Sequence, residues 1–247
     1  MTGVGDPNAQ GTERVLVAGV YLADREHRAA DAAAELARSR HFRVEQRWIA
    51  LGESEPPPGL AERTTLRART PTPKFVLLNQ ILDPTQLDPY EFVVVCDDDV
   101  ALPEGFLDRY LELVRRHDLG LAQPARTHGS FIDHFLVEQL DGLDARQTRF
   151  VEIGPVFSIR RDLVPLLLPF DEASPMGWGY DFVWPVVVEK AGKRMGIVDA
   201  TPVAHDLRKA VAFYEHADAD AAMKAFLSSR AHLSKGEAFT IVEAYAR

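Results

Sequence analysis

A single cysteine, Cys96, stands among 247 residues. That excludes an internal disulfide framework and a cysteine-rich zinc site, and it suits a reducing compartment, so a cytoplasmic protein is expected. Long apolar runs are missing too: nothing approaches the ~18 uninterrupted hydrophobic residues of a membrane span. Basic charge is in deficit. Lys and Arg number 28 against 37 Asp and Glu, a formal charge of −9, which excludes a protein that coats nucleic acid with a basic face. The stretch from Met1 to Thr12 lacks the basic-then-apolar order of a signal peptide, and residues 1–13 read as a loose tail. No repeat or low-complexity segment is visible. What is present is ordinary globular material, 46% hydrophobic and 26% charged, long enough to bury roughly 70–75% of its unfolded surface.

Periodicity organises the chain as α/β. Arg14 to Val20 (RVLVAGV) is a β-branched apolar run that predicts a buried strand. Arg25 to Arg40 is alanine-rich, with Ala29, Ala33, Leu36 and Ala37 on one helical face. Phe42 to Leu51 begins with strand-like alternation, so strand, helix and strand follow in order and predict parallel pairing. Pro73 is placed to open a helix carrying Phe75, Leu78 and Ile81. Phe92 to Cys96 (FVVVC), apolar on both faces, reads as a central strand. Pro103 and Glu104 open a further helix to about His117. Leu119–Ala122, Pro155–Ile159 and Met195–Asp199 read as more strands, and the chain from Arg208 onward reads as two helices. In such sheets ligands sit beyond the carboxyl ends of the strands, which directs attention to the residues after Val20 and after Cys96.

Asp97, Asp98 and Asp99 follow FVVVC directly. Three carboxylates at the end of a buried strand repel one another and lose hydration, a cost that a hard divalent cation, Mg²⁺ or Mn²⁺, relieves. In extended chain, residues two apart share a side, so Asp97 and Asp99 are expected to face one site while Asp98 turns aside. A solvated acidic turn is the plain alternative. His205, after the strand MGIVDA, has the chemistry to complete a metal shell, or is an ordinary structural histidine. Gly177-Trp178-Gly179-Tyr180-Asp181 joins two flexible glycines to an aromatic and a carboxylate. This suits holding a sugar ring and deprotonating a hydroxyl, or else a turn with Asp181 capping the next helix and Trp178 in the core.

Together these segments resemble nucleotide-sugar glycosyltransferases of the GT-A fold, especially glycosyltransferase family 2 and its relatives. FVVVCDDDVALPEGFLDRYLELV resembles their Asp-x-Asp region. VEIGPVFSIRRDLV is similar to their acceptor-side strand. GWGYDFVWPVVVEKAGKRMGIVDATPVAH looks like the segment that supplies a base on a helix N-terminus and then a late histidine ligand. The resemblance covers about Arg14 to Arg208 and implies a mainly parallel Rossmann-like sheet flanked by helices over 14–207, with 208–247 as a helical C-terminal extension of the same domain. It implies that the loop Val20-Tyr21-Leu22-Ala23 lines the base pocket, and that Lys74, Asn79, Asp97 and Asp98 contact the nucleotide. Asp97, Asp99 and His205 would hold Mn²⁺ or Mg²⁺, Trp178 and Gly179 would meet the sugar or acceptor, and Asp181 would be the base. Arg160 or Arg161 would add positive charge.

The expected reaction is transfer of a sugar from a nucleotide-diphosphate sugar, UDP-linked by analogy, to a hydroxyl acceptor with inversion. The pattern has departures: Asp24 is the one acidic residue near the first strand's end, and Tyr180 precedes Asp181 where an acidic pair is common. Two rivals remain. A haloacid-dehalogenase-type phosphatase would use Asp97 and Asp99, although Ala101 stands in the motif's fifth place. A non-catalytic nucleotide-sugar or carbohydrate-binding module would keep the fold without turnover. Net acidity by itself predicts that an anionic substrate binds only with a metal.

Overall fold

The runs that alternate in the sequence form a sheet buried on both sides. The computed structural model describes residues 13–208 and 216–247; residues 1–12 of the expected 1–13 tail, and residues 209–215 of the expected C-terminal helices, lie outside the described residues. In chain order the elements are β1 (Arg14–Leu22), α1 (Ala29–Leu36), β2 (Arg43–Leu51), α2 (Pro58–Ala61), β3 (Thr64–Ala68) and α3 (Lys74–Ile81). Then come β4 (Tyr90–Asp97), α4 (Phe106–Arg116), β5 (Leu119–Arg126), β6 (Leu143–Thr148), β7 (Val156–Arg160) and α5 (Val164–Leu167). The series closes with α6 (Tyr180–Lys190), β8 (Arg194–Val203), α7 (His216–Ser228), α8 (Lys235–Ala238) and β9 (Ile241–Ala246).

The strands build one nine-stranded sheet in the order β3-β2-β1-β4-β7-β5-β8-β6-β9. Alternation along β1 and β4 sends Val15, Val17, Phe92, Val94 and Cys96 to one face, under α1 and α4. Leu16, Ala18, Val93 and Val95 go to the other, under α3 and α6. This three-layer α/β architecture is Rossmann-like, and among the described residues no helix is long and apolar enough to cross a membrane.

The sheet is mixed, not mainly parallel. β1 pairs with β2 and β4 in parallel, as do β2 with β3 and β5 with β8. But β7 runs against both β4 and β5, and β6 against both β8 and β9. Parallel neighbours need a crossover, usually helical, and no α-helix lies between β5 and β7 to supply one. The C-terminal extension is likewise not wholly helical: α7 and α8 are followed by β9, an edge strand paired antiparallel to β6.

Direction decides where side chains meet. β1, β4, β5 and β8 share one sense, so Leu22, Asp97, Arg126 and Val203 end at the same edge. β7, running the other way, brings its start there and carries Arg160 to the far edge beside Phe92.

One glycine on the way to α6 has no room to change. Gly177 has φ +81°, and a Cβ there would lie 2.2 Å from Cε2 of Phe75. That ring is buried and packs edge-on to Phe170 and Tyr180 at 4.6 and 5.1 Å. Gly177→Ala is therefore expected to destabilise the fold by roughly 2–4 kcal/mol, combining left-handed strain with overpacking. A shift in the urea midpoint checks it.

Candidate active site

At the shared edge lies a cavity of about 570 Å³ lined by Val20, Leu22, Leu51, Lys74, Asp97, Asp98, Asp99, Trp178, His205 and Arg208 among others. β4 ends at Asp97, so the two-residue alternation expires there, and each aspartate takes its own partner. Asp97 meets Lys74, with Oδ1 2.5 Å from Nζ. The same ammonium donates to the Ile153 carbonyl at 2.9 Å. Burial pushes the Asp97 carboxyl up, against the pull of Lys74. Asp98 does not turn aside from the other two but lines the same cavity. It is buried, accepts the Leu22 N–H at 2.7 Å, and takes a hydrogen bond from Arg208. Burial nevertheless lifts it to about 6.

Asp99 stands 3.2 Å from His205, Oδ1 to Nε2, and its Oδ2 lies 3.6 Å from Arg208. Burial raises its pKa, but the His205 hydrogen bond and the charges of His205 and Arg208 outweigh that and hold the carboxyl below its usual range. The pairing has a backbone cause. Ala101 and Ala204 form an antiparallel bridge, with N–H to carbonyl distances of 2.8 and 3.1 Å, which clamps the post-β4 turn to the post-β8 turn.

Two ligands on one octahedral cation, each bonded at about 2.1 Å, stand about 3 Å apart, so Asp99 and His205 are spaced to share one. Among the described residues no group of three or more His, Cys, Asp or Glu side chains converges as a cage. One carboxylate and one imidazole are a partial donor set, better suited to a transition cation such as Mn²⁺ than to Mg²⁺, and substrate phosphate oxygens and water would have to supply the rest of the shell. The His205 Nδ1 is buried and has no hydrogen-bond partner among the described residues.

Other expected residues fall differently. Val20 and Leu22 line the cavity. Tyr21, on the opposite face of β1, is fully buried and bonds Thr64 at 3.0 Å, and Ala23 packs against that same core. Neither lines the cavity: alternation along β1 turns Tyr21 to the opposite face, and Ala23 falls in the turn just beyond the strand. Asn79 is spent on the backbone of Phe170, donating to its carbonyl and accepting its N–H, both at 2.8 Å, so it holds a loop. Arg160 and Arg161 pair with Asp118, Asp162 and Glu91 at the far edge, since β7 is antiparallel. Asp24 accepts the Glu53 and Ser54 N–H groups beside a smaller cavity of about 360 Å³.

Trp178 lines the main cavity. Gly179, with φ +95°, is the N-cap of α6 and faces Phe226 and Leu227 of α7. Asp181 sits in the first turn of α6, not at the cap. It is buried, and its Oδ1 has no partner among the described residues. Burial lifts its carboxyl to about 7; the charge of His134 pulls it down and that of Glu152 pushes it up.

Several residues escaped the sequence reading. Arg208 was set at a domain boundary, yet it bridges Asp98, Asp99 and the Glu26 carbonyl. Pro71, Ala219 and Ala222 also line the cavity. Gly154 packs so tightly that a Cβ would lie 2.5 Å from the Asp97 carboxylate and 3.3 Å from Lys74 Nζ. The cation spacing in HDLR was a usable signal for Arg208; nothing local marked Gly154.

No protein-family model matches the chain, and no curated protein matches it by sequence. Among solved structures it is similar to the crystal structure of GalNAc-T7 with UDP, GalNAc and Mn²⁺, at a TM-score of 0.54 and 9% identity. The match covers 78% of this chain and 43% of that one, so this chain spans less than half the length of that protein. At that identity what the two share is the fold alone, one central sheet between helices.

Proposed function

We propose that this protein is a metal-dependent glycosyltransferase that uses a nucleotide-diphosphate sugar, UDP-linked by preference, with a hydroxyl acceptor. The observation that carries the reading is the set Lys74, Asp97, Asp99, His205 and Arg208 around one cavity at the carboxyl edge of the sheet. The fold shared with a protein crystallised with UDP, GalNAc and Mn²⁺ supports it.

Asp99 and His205 would hold the cation, whose chemistry when bound is to offset charge on a diphosphate. Lys74 and Arg208 bring further positive charge to the same cavity, where a departing diphosphate gathers negative charge. Val20, Leu22 and Leu51 offer apolar surface to the base, and Trp178 offers a flat face to a sugar ring. Asp181, three residues beyond Trp178 and with its carboxyl lifted to about 7, suits the general base: at neutral pH it both ionises and takes a proton back. It accepts the acceptor hydroxyl's proton while the oxygen bonds to the sugar carbon opposite the leaving diphosphate, which inverts that centre.

Thermal unfolding with nucleoside diphosphates, each with and without Mn²⁺, tests the reading. UDP with Mn²⁺ at a hundredfold excess over Kd is expected to raise Tm by roughly 5–10 °C, and UDP alone to raise it little. The absence of a shift with every nucleotide would remove the proposal. A shift without sugar transfer to any hydroxyl acceptor would leave a binding module.

A further inference from the structure

Lys74 reaches the cavity from the first residue of α3, at the end of a long flexible stem, yet its ammonium is fixed from several sides. Asp97 Oδ1 lies 2.5 Å from Nζ, the Ile153 carbonyl accepts from it at 2.9 Å, and the Phe75 ring centroid lies 5.3 Å away. An ammonium carries three N–H groups, so after the carboxylate and the carbonyl one is left for a ligand in the cavity. The other oxygen of Asp97 lies over Gly154, where a Cβ would stand 2.5 Å from Oδ2 and 3.6 Å from Cγ.

The backbone beneath this pair is pinned. Residues 153–155 lead into β7, whose antiparallel entry lays them against the end of β4. Three successive carbonyls are each engaged: Ile153 by Lys74, Gly154 by Arg126 Nη2 at 3.3 Å, and Pro155 by the Asp97 N–H at 2.7 Å. Arg126 is itself buried and donates to the Phe131 carbonyl at 2.7 Å and to Glu152 at 2.5 Å. Gly154 has no left-handed φ that would demand glycine, unlike Gly177 and Gly179. What requires glycine here is space. The backbone conformation admits an alanine, but its methyl group would meet the Asp97 carboxylate and, at 3.3 Å, the Lys74 ammonium. Because the loop is held by its carbonyls in a close-packed setting, the two side chains must give way.

We propose that Gly154 and Asp97 are positioning residues for Lys74: the missing side chain seats the carboxylate, and the carboxylate aims the ammonium at the diphosphate of the donor. Asp97 thereby serves the lysine, while Asp99 and His205 remain the pair spaced for the cation. The gain is preorganisation. A free lysine stem loses rotamer freedom when it meets an anion, and one already held loses less. This rests on the diphosphate-sugar reading, although the placement of Lys74 is measurable on the protein alone.

The experiment has two arms, and the first needs no substrate. Acetylation of Lys74 by acetic anhydride is followed by peptide mass spectrometry in the wild type, Gly154→Ala, Asp97→Ala and the double variant. Lys74 is expected to react about tenfold faster in Gly154→Ala, as the loss of one hydrogen bond to a charged group implies. In the Asp97→Ala background, where the crowding is gone, adding Gly154→Ala is expected to change nothing further. No acceleration in Gly154→Ala, or the same acceleration in both backgrounds, overturns the inference. Should Gly154→Ala fail to fold, recovery of folding in the double variant supports the seating of the carboxylate, and continued failure overturns it. In the second arm, UDP with Mn²⁺ is titrated calorimetrically. Kd is expected to rise about tenfold in Gly154→Ala and in Lys74→Ala, and no further when the two are combined. Losses that multiply overturn the inference, because the glycine then acts apart from the lysine. If Lys74 reactivity responds as expected while the wild type binds no UDP, the placement of the lysine stands and the transferase reading fails.

Discussion

Asp181→Asn is expected to lower kcat/KM for sugar transfer by about 10²–10⁴-fold, the range that a positioned general base contributes, while the protein becomes more stable above neutral pH. The two effects share one cause. Burial raises the carboxyl from its ordinary 3.8 to about 7, so the folded state binds this proton more tightly than the unfolded state. The sign follows: wild-type stability is favoured below about pH 4, declines as pH rises through the interval up to about 7, and is level beyond it. The asparagine variant lacks that decline. At pH 8 its advantage is on the order of 4 kcal/mol, because each unit of the displacement from 3.8 to about 7 corresponds to about 1.4 kcal/mol. Paired urea titrations at pH 4.5 and pH 8 check the stability half. For the activity half, wild-type kcat/KM should fall about tenfold per pH unit below about 7. A variant with full activity would remove Asp181 from the base role.

Asp99→Asn is expected to abolish the Mn²⁺-dependent part of UDP binding and to lower kcat/KM by about 10²–10³-fold, comparable to removing one preorganised electrostatic partner of a developing negative charge. The amide retains shape but loses the charge that a hard cation requires. Isothermal titration of UDP with and without Mn²⁺ reads the first effect. A variant that still responds to Mn²⁺ like the wild type would move the metal elsewhere. Stability has the opposite pH sign to Asp181. The Asp99 carboxyl is held below its usual range by His205 and Arg208 against the opposing effect of burial. Its contribution is therefore present above the ordinary pH of carboxylate ionisation and is lost as pH falls through the lowered value. Without metal, Asp99→Asn should be less stable than wild type at pH 7, with the gap closing toward pH 3.

Much of the site was legible because its chemistry is concentrated. Three aspartates at the end of FVVVC cannot be buried without partners, and that constraint is visible in eight consecutive letters. Lys74, Trp178 and His205 line the same cavity as those aspartates. The failures share a different character. Tyr21 and Ala23 were grouped with Val20 and Leu22 because neighbours in sequence were treated as neighbours in space, whereas β1 sends Tyr21 to the opposite face and Ala23 packs against that same core from the turn beyond the strand. Asn79 has the donors and acceptor to bind a nucleotide, yet both are consumed by the backbone of Phe170, ninety-one positions away.

The acidic balance of −9 and the single cysteine exclude whole classes of protein by arithmetic, and apolar periodicity alone locates β1, α1, β4 and α4 to within a few residues. Local pattern reaches that far because each such element buries its own stripe. Strand direction is not local. The antiparallel entry of β7 moves Arg160 to the far edge and brings Gly154 against Asp97, and the Ala101–Ala204 bridge sets Asp99 beside His205. Arg208 and Lys74 likewise acquire their partners only when distant segments meet. A charge in the sequence tells what it could pair with; which partner it takes depends on distance in the folded chain, and that the tertiary structure alone decides.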